Sequence, residues 1–180
     1  AMYGHSPEPI AAAITSQSRQ GLTCMLPAES VASVGAALAE RFQLPFWQVT
    51  PTATDANRAA LRWARAITGR SKVLVFQGCY HGTVEETMVR LRGGRTVPRE
   101  GAIGPAFDAS SAAVAIEFND VDALERALAS GEIAAVIAEP VMTNIGMVLP
   151  QAGFLDHLRE RNPARVSLSV QPKLVCHENS

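Results

Sequence analysis

Hydrophobic positions along the chain follow two patterns that alternate with each other. Apolar residues at intervals of three and four indicate helices, and short continuous apolar runs indicate strands buried on both faces of a parallel sheet. The pattern predicts helices at 7–20, 28–42, 55–67, 83–89, 120–130 and 152–161, and strands at 46–50, 73–76, 114–116 and 133–138. This alternation predicts an α/β fold with a mostly parallel sheet and flanking helices.

The segments between these elements are predicted as loops, and one helix has a marked apolar face. Residues 91–109 are rich in Gly, Pro and Arg, and residues 141–150 follow Glu139-Pro140, so both are predicted as loops. For the helix at 55–67 the predicted core face is Ala56, Ala59, Ala60, Trp63, Ala64 and Ile67. Residues 166–170 alternate in the manner of an edge strand.

Composition excludes several classes of protein. The 180 residues are 47% hydrophobic, and 16 basic against 17 acidic side chains give a net charge of −1. This balance provides no field for nucleic acid or an anionic membrane. Three scattered cysteines indicate neither a disulfide framework nor a metal site, and no apolar run reaches the ~20 residues of a membrane span. We therefore expect a cytoplasmic protein without nucleic-acid or membrane partners.

Four arginines stand close together at positions 90, 92, 95 and 99. Such a group could bind an anion or nucleic acid. No aromatic residues are interleaved with them, which favours a solvated loop instead.

The stretch Phe76-Gln77-Gly78-Cys79-Tyr80-His81-Gly82 follows the apolar run at 73–76. Two glycines, which tolerate backbone angles closed to other residues, bracket an aromatic ring and an imidazole. Open α/β sheets bind ligands at the carboxyl ends of their strands. The stretch therefore predicts either a site for a flat heteroaromatic ring or a strand-end turn whose tyrosine covers the core.

Four segments, in order, resemble motifs of the class III pyridoxal-phosphate aminotransferases, which include the glutamate-1-semialdehyde aminomutases. Gly78-Cys79-Tyr80-His81-Gly82 resembles the family's Gly-x-Tyr-His-Gly loop. Gly4-His5-Ser6 resembles its Gly-His entry to a helix, and Thr52-Ala53-Thr54-Asp55-Ala56 stands where the family has Ser-Gly-Thr-Glu-Ala. Glu139-Pro140-Val141, with Asn144 and Gly146, resembles its Glu-Pro-Val-x-x-Asn-x-Gly segment. The resemblance covers residues 4–159.

The resemblance implies a partial large domain of the fold type I pyridoxal-phosphate transferases over residues 1–162, with an unmatched tail at 163–180. It implies amino-group transfer through a lysine aldimine between small-molecule donors and acceptors, in a homodimeric parent enzyme. The cofactor-binding residues that it implies are Thr52, Ala53 and Thr54 for the phosphate, Tyr80 and His81 at the ring, and Glu139 and Asn144 beside it. Without the resemblance, these residues are a helix cap, a turn and a strand-end carboxylate.

Two residues that the chemistry of the family requires have no counterpart in this sequence. No Asp follows Asp156 to serve the pyridine nitrogen, and the two lysines, Lys72 and Lys173, lack the family's surroundings. We therefore predict a truncated chain without catalytic residues, which is inactive alone.

Two other functions stay open at this point. The first is an inactive fragment that binds the cofactor weakly or pairs with a full-length subunit. The second is a generic nucleotide-binding α/β domain, although no Gly-x-Gly-x-x-Gly follows a strand. The substrate, and the choice between aminotransferase and aminomutase, also stay open.

Overall fold

The structure, a computed structural model, describes residues 4–22 and 25–161. The chain divides into two compact units, Ala1–Gln48 and Val49–Ser180. The predictions for the tail at 163–180, including the edge strand at 166–170, lie outside the described residues. None of the helices in the described ranges is long and apolar enough to cross a membrane.

The first unit contains two helices, α1 (Glu8–Gln20) and α2 (Ser30–Phe42). Both were predicted, and each begins one or two residues later than the sequence pattern indicates. Neither helix contains a fully buried residue. After α2 the Trp47 ring packs against Phe42 at 5.3 Å between centroids, and its indole Nε1 donates to the Leu44 carbonyl at 2.8 Å.

The prediction of a strand at 46–50 is wrong, since these residues adopt no regular structure. Phe46 is 90% exposed, and no strand in the described ranges pairs with this segment. A short apolar run forms a strand only where a neighbouring strand can satisfy its backbone groups.

The second unit is built on a three-stranded parallel sheet. Its elements, in chain order, are α3 (Ala53–Thr68), β1 (Lys72–Phe76), β2 (Val89–Arg92), β3 (Arg95–Pro98), β4 (Ala113–Ile116), α4 (Val121–Ala129), β5 (Ile133–Val136) and α5 (Phe154–Arg161). Strand β1 lies between β4 and β5 and runs parallel to both. Because β1 is covered on both faces, residues 73–76 are fully buried, as their continuous apolar run predicts.

The prediction of a long loop at 91–109 is wrong over its first half. Strands β2 and β3 form an antiparallel hairpin whose turn is Gly93-Gly94, and both glycines have positive φ. A Gly-Gly pair of this kind is a strong hairpin signal. The short helix predicted at 83–89 is only a 3₁₀ turn, Glu85–Thr87. Arg90 and Arg92 lie on β2, where both contact Glu100.

The buried face of α3 differs from the predicted one. Asn57, Ala60, Leu61 and Ala64 are buried, whereas Trp63 and Ile67 are mostly exposed. These buried positions follow the helical spacing i, i+3, i+4 and i+7. The prediction placed the face around Trp63 and Ile67, and it left out both Leu61 and the buried polar residue Asn57.

Three phenylalanines join the end of β1 to the last helix. The rings of Phe76, Phe118 and Phe154 pack edge to face with centroids 5.1–5.8 Å apart. Such pairs contribute about 0.5–1.5 kcal/mol beyond the burial of area. The cluster fixes the carboxyl end of β1 within the core.

Helix α5 is joined to α4 by a network of charged groups around Glu125. His157 Nε2 lies 2.7 Å from one carboxylate oxygen of Glu125, and Arg161 Nε donates to the same oxygen at 2.8 Å. These contacts, with the Arg161 hydrogen bond as the largest cause, lower the pKa of Glu125 to about 2.

We predict that Glu125→Gln lowers the thermal unfolding midpoint at neutral pH. Because the folded carboxyl has the lower pKa, its contribution to stability is complete above the ordinary value of 4.5 and is lost as pH falls towards about 2. Thermal melts at neutral pH and near ~pH 3 should therefore show a difference between variant and parent that shrinks in acid. Glu160→Gln, at an exposed position of α5, is the control, and an equal effect of both variants would contradict the prediction.

Candidate functional site

The candidate site lies at the carboxyl edge of the sheet, where three segments meet. These are the start of α3, the loop at residues 77–83 that follows β1 (the Tyr80 loop), and residues 139–144, which follow β5. Because β1 and β5 are parallel neighbours, the segments after them leave the sheet at the same edge. This is the edge at which open α/β sheets bind ligands.

Helix α3 begins at Ala53, two residues earlier than predicted, and Thr52 is its N-cap. Thr52 Oγ1 accepts from the Asp55 N–H at 3.1 Å and donates to the Asp55 carboxylate at 2.6 Å. The N–H groups of Ala53 and Thr54 belong to the first helical turn, which has no acceptors within the helix. Ala53 is not among the residues with positive φ, so its side chain fits this position without backbone strain. The start of α3 is therefore suited to an anion.

Thr54 joins the start of α3 to the Tyr80 loop. Its Oγ1 accepts from the Thr83 N–H at 3.2 Å, which leaves the hydroxyl hydrogen free to donate. Gly82 has φ +81°, and a Cβ placed there would lie 2.2 Å from Thr54 Oγ1. Only glycine allows the loop to approach the helix this closely.

Glu139 joins the Tyr80 loop to the segment after β5. The residue is only 8% exposed, so its carboxylate does not simply face solvent. One oxygen accepts from the Tyr80 N–H at 3.0 Å, and the other accepts from the N–H and hydroxyl of Thr143, both at 3.1 Å. The carboxylate thus holds the backbone of Tyr80 in place.

Asn144 makes a second connection between the same two segments. Its Nδ2 donates to the Gly78 carbonyl at 3.1 Å, and its Oδ1 makes no hydrogen bond within the described ranges. The neighbouring Ile145 packs on Gly78, where an added Cβ would meet its side chain at 2.9 Å. Asn144 therefore faces the loop with an acceptor oxygen left for a ligand.

The two ring side chains of the loop differ in their surroundings. Tyr80 is 45% exposed, and the guanidinium carbon of Arg99 lies 6.0 Å from its ring centroid. His81 is buried, and its Nε2 has no hydrogen-bond partner in the described part of the chain. Burial lowers the pKa of His81 to about 4, so its ring is neutral near physiological pH. Tyr80 is therefore the ring accessible to a ligand.

The structure brings five of the predicted site residues to the Tyr80 loop, and the other two lie beside Thr54 at the start of α3. The five are Thr54, Tyr80, His81, Glu139 and Asn144, and the two are Thr52 and Ala53. Sequence reasoning missed Asn57, whose Nδ2 donates to the His81 carbonyl at 2.8 Å. It placed Arg99 in a loop, which the structure confirms, but did not indicate that its guanidinium group lies over the Tyr80 ring.

Neither a reactive thiol nor a metal site is supported by the described residues. Burial raises the pKa of the Cys79 thiol to about 12, which makes the thiol unreactive at neutral pH. Residues 4–22 and 25–161 contain no cluster of three or more His, Cys, Asp or Glu side chains that could hold a metal ion.

The fold and the site define an α/β protein with a candidate ligand site at one sheet edge, and comparison with known proteins gives the class. The family model of class III aminotransferases matches residues 1–162. A glutamate-1-semialdehyde 2,1-aminomutase of Chloroflexus aurantiacus is 35% identical over 165 residues, which cover 88% of this chain and 37% of that protein. The chain belongs to the class III aminotransferase family.

Solved structures of the family share this fold. A glutamate-1-semialdehyde aminomutase from Pseudomonas aeruginosa PAO1 superimposes with a TM-score of 0.84 at 52% identity, over 89% of this chain and 36% of that one. An omega-transaminase from Sphaerobacter thermophilus superimposes with a TM-score of 0.76 at 31% identity, over 87% of this chain and 38% of that one. The chain thus spans little more than a third of the length of the relatives it matches.

We predict that Gly82→Ala disrupts the Tyr80 loop. A left-handed backbone costs a non-glycine residue roughly 1–2 kcal/mol, and the contact with Thr54 adds roughly 1–3 kcal/mol for overpacking. The free energy of unfolding, measured by denaturant titration, should fall by the sum of both.

Gly94→Ala is the matched control for this variant. Gly94 has a similar φ of +74° but no atom within 4 Å of an added Cβ, so only the backbone cost applies. Equal losses of stability in the two variants would show that Gly82 does not pack closely on Thr54.

Proposed function

We propose that this chain carries the cofactor-binding edge of a pyridoxal-phosphate-dependent aminotransferase or aminomutase of class III. The observation that carries the proposal is the Tyr80 loop, which is tied on one side to the start of α3 and on the other to Glu139 and Asn144. Among the relatives, a variant of the Pseudomonas aeruginosa aminomutase was solved in complex with PMP, and another related structure is a transaminase with PLP bound.

The start of α3 fits the phosphate of this cofactor. Its first N–H groups, at Ala53 and Thr54, point out of the helix at the positive end of the helix dipole. The Thr54 hydroxyl can donate a further hydrogen bond, because its oxygen already accepts from Thr83. A charge-assisted bond of this kind contributes about 1.5–3 kcal/mol.

The Tyr80 loop fits the ring of the cofactor. Tyr80 offers an exposed aromatic face, while Glu139 and Arg99 hold its backbone and ring. Asn144 Oδ1 and Nδ2 stand at the loop beside it, where they can meet a polar substituent of the ring. When bound, pyridoxal phosphate supplies the electron sink by which an amino group moves between small molecules.

The reaction we propose for the whole protein is amino-group transfer between a small-molecule donor and acceptor. The relatives are named as glutamate-1-semialdehyde aminomutases and as transaminases, which supports this class of reaction. The contribution of the present residues is to bind the phosphate, orient the ring and hold the loop.

We predict that Tyr80→Ala and Thr54→Ala each weaken binding of pyridoxal phosphate by about tenfold or somewhat more. The first variant loses a stacking contact worth on the order of 1 kcal/mol, and the second loses a hydrogen bond to the phosphate. Absorbance titration of the purified chain measures both dissociation constants.

Arg62→Ala is the control for this titration, since Arg62 is exposed on the same helix. Unchanged affinity in both site variants would place the cofactor elsewhere. Binding of nucleotides in preference to pyridoxal phosphate would contradict the proposed function and favour a nucleotide-binding domain.

We also predict that Lys72 does not react with the cofactor and that the 180-residue chain alone transfers no amino group. Lys72 begins β1 and forms an ion pair with Glu132 at 3.0 Å, about 13 Å along the strand from the loop. Borohydride reduction with peptide mapping should leave Lys72 unlabelled, as in a Lys72→Ala control. Stoichiometric labelling of either lysine, with amino transfer that its replacement abolishes, would overturn this prediction.

A further inference from the structure

A buried asparagine stands on the otherwise apolar inner face of α3. Asn57 is 1% exposed, and its companions on this face are Ala60, Leu61 and Ala64. Buried asparagine requires hydrogen-bond partners to offset its loss of water. Its contacts therefore indicate why a polar residue occupies this position.

The amide of Asn57 contacts the Tyr80 loop. Its Nδ2 donates to the His81 carbonyl at 2.8 Å, and this carbonyl belongs to the peptide that leads into Gly82. The other side chains that bind the loop backbone do so at the Gly78 carbonyl, the Tyr80 N–H and the Thr83 N–H. Asn57 thus holds the His81–Gly82 peptide, which these three contacts leave free.

This contact is not explained by stability alone. Asn57 Oδ1 and the nearby His81 Nε2 are buried and lack hydrogen-bond partners within the described ranges. A buried polar atom without a partner destabilises the folded state. The residue therefore costs stability through one amide atom while it fixes the loop through the other, a combination typical of functional sites.

We propose that Asn57 is a positioning residue of the candidate cofactor site. By holding the His81 carbonyl, it keeps the backbone on either side in place, with the Tyr80 N–H on Glu139 and the Thr83 N–H on Thr54. The role towards the cofactor rests on the proposed function. If the loop holds its binding conformation for only a fraction of the time, the apparent dissociation constant of the ligand rises in inverse proportion to that fraction.

The variants Asn57→Leu and Asn57→Ala test the proposal, with Leu61→Val as the matched control. Leucine preserves the approximate volume of asparagine without its donor, and alanine already occupies two positions of the same face. Leu61 is buried on that face but belongs to the apolar cluster with Val73 and Val84. Its replacement perturbs packing without removing a bond to the loop.

The first measurement needs no cofactor. Amide hydrogen exchange followed by NMR should become faster at Tyr80 and Thr83 in both Asn57 variants, and stay unchanged at Leu74 and Val75 in β1. In Leu61→Val the exchange at Tyr80 and Thr83 should match that of the parent chain. Unchanged exchange at Tyr80 and Thr83, or acceleration spread equally over β1, would overturn the proposal.

The second measurement is the titration of the same proteins with pyridoxal phosphate. The dissociation constant should rise about tenfold, the factor that one buried hydrogen bond represents, and the induced circular dichroism of the bound ring should decrease. If the parent chain and the Asn57 variants bind the cofactor with equal affinity, the positioning role is overturned but the proposed function is not. No binding by the parent would contradict the proposed function, and the role towards the cofactor with it.

Discussion

The hydrogen bond between the Glu139 carboxylate and the Tyr80 N–H is the contact on which the candidate site depends. The Tyr80 loop has no helix or sheet of its own, so those of its backbone groups that find no backbone partner need side chains instead. Four side chains supply them, from positions 24 to 66 residues away along the chain. The loop therefore acquires its shape only when β5 pairs with β1 and α3 packs on the sheet.

This dependence explains which parts of the fold follow from sequence. Strands β1, β4 and β5 have continuous apolar runs and were predicted within a few residues, as were helices α1 to α5. The segment at 46–50 was predicted as a strand because local pattern cannot show whether a pairing strand exists. The hairpin β2–β3 was missed because the Gly, Pro and Arg content of this region indicated a loop, although Val89-Arg90-Leu91-Arg92 alternates as a strand does and Gly93-Gly94 signals the turn.

Sequence motifs could name residues of the candidate site, but they could not predict the contacts between them. Local motifs singled out Tyr80, Thr54, Glu139 and Asn144, all of which meet at the Tyr80 loop. Asn57 carries no motif, and only the packing of α3 shows that it faces His81. The spacing of Asn57 to Ala60, Leu61 and Ala64 would have placed it on the buried face, but the predicted face was drawn through Trp63 and Ile67 and so excluded Leu61 as well.

The distribution of buried polar residues supports a functional reading of this edge. In the described ranges the fully buried polar or charged residues are Asn57, His81, Thr87 and Glu139. Three of them lie at the Tyr80 loop, and two of these retain an atom without a partner. Elsewhere the second unit buries mainly Val, Leu, Ile, Phe and Ala, which need no such partners. A chain selected for stability alone would gain by replacing these polar groups, whereas a loop that must be held against α3 and Glu139 in one conformation requires them.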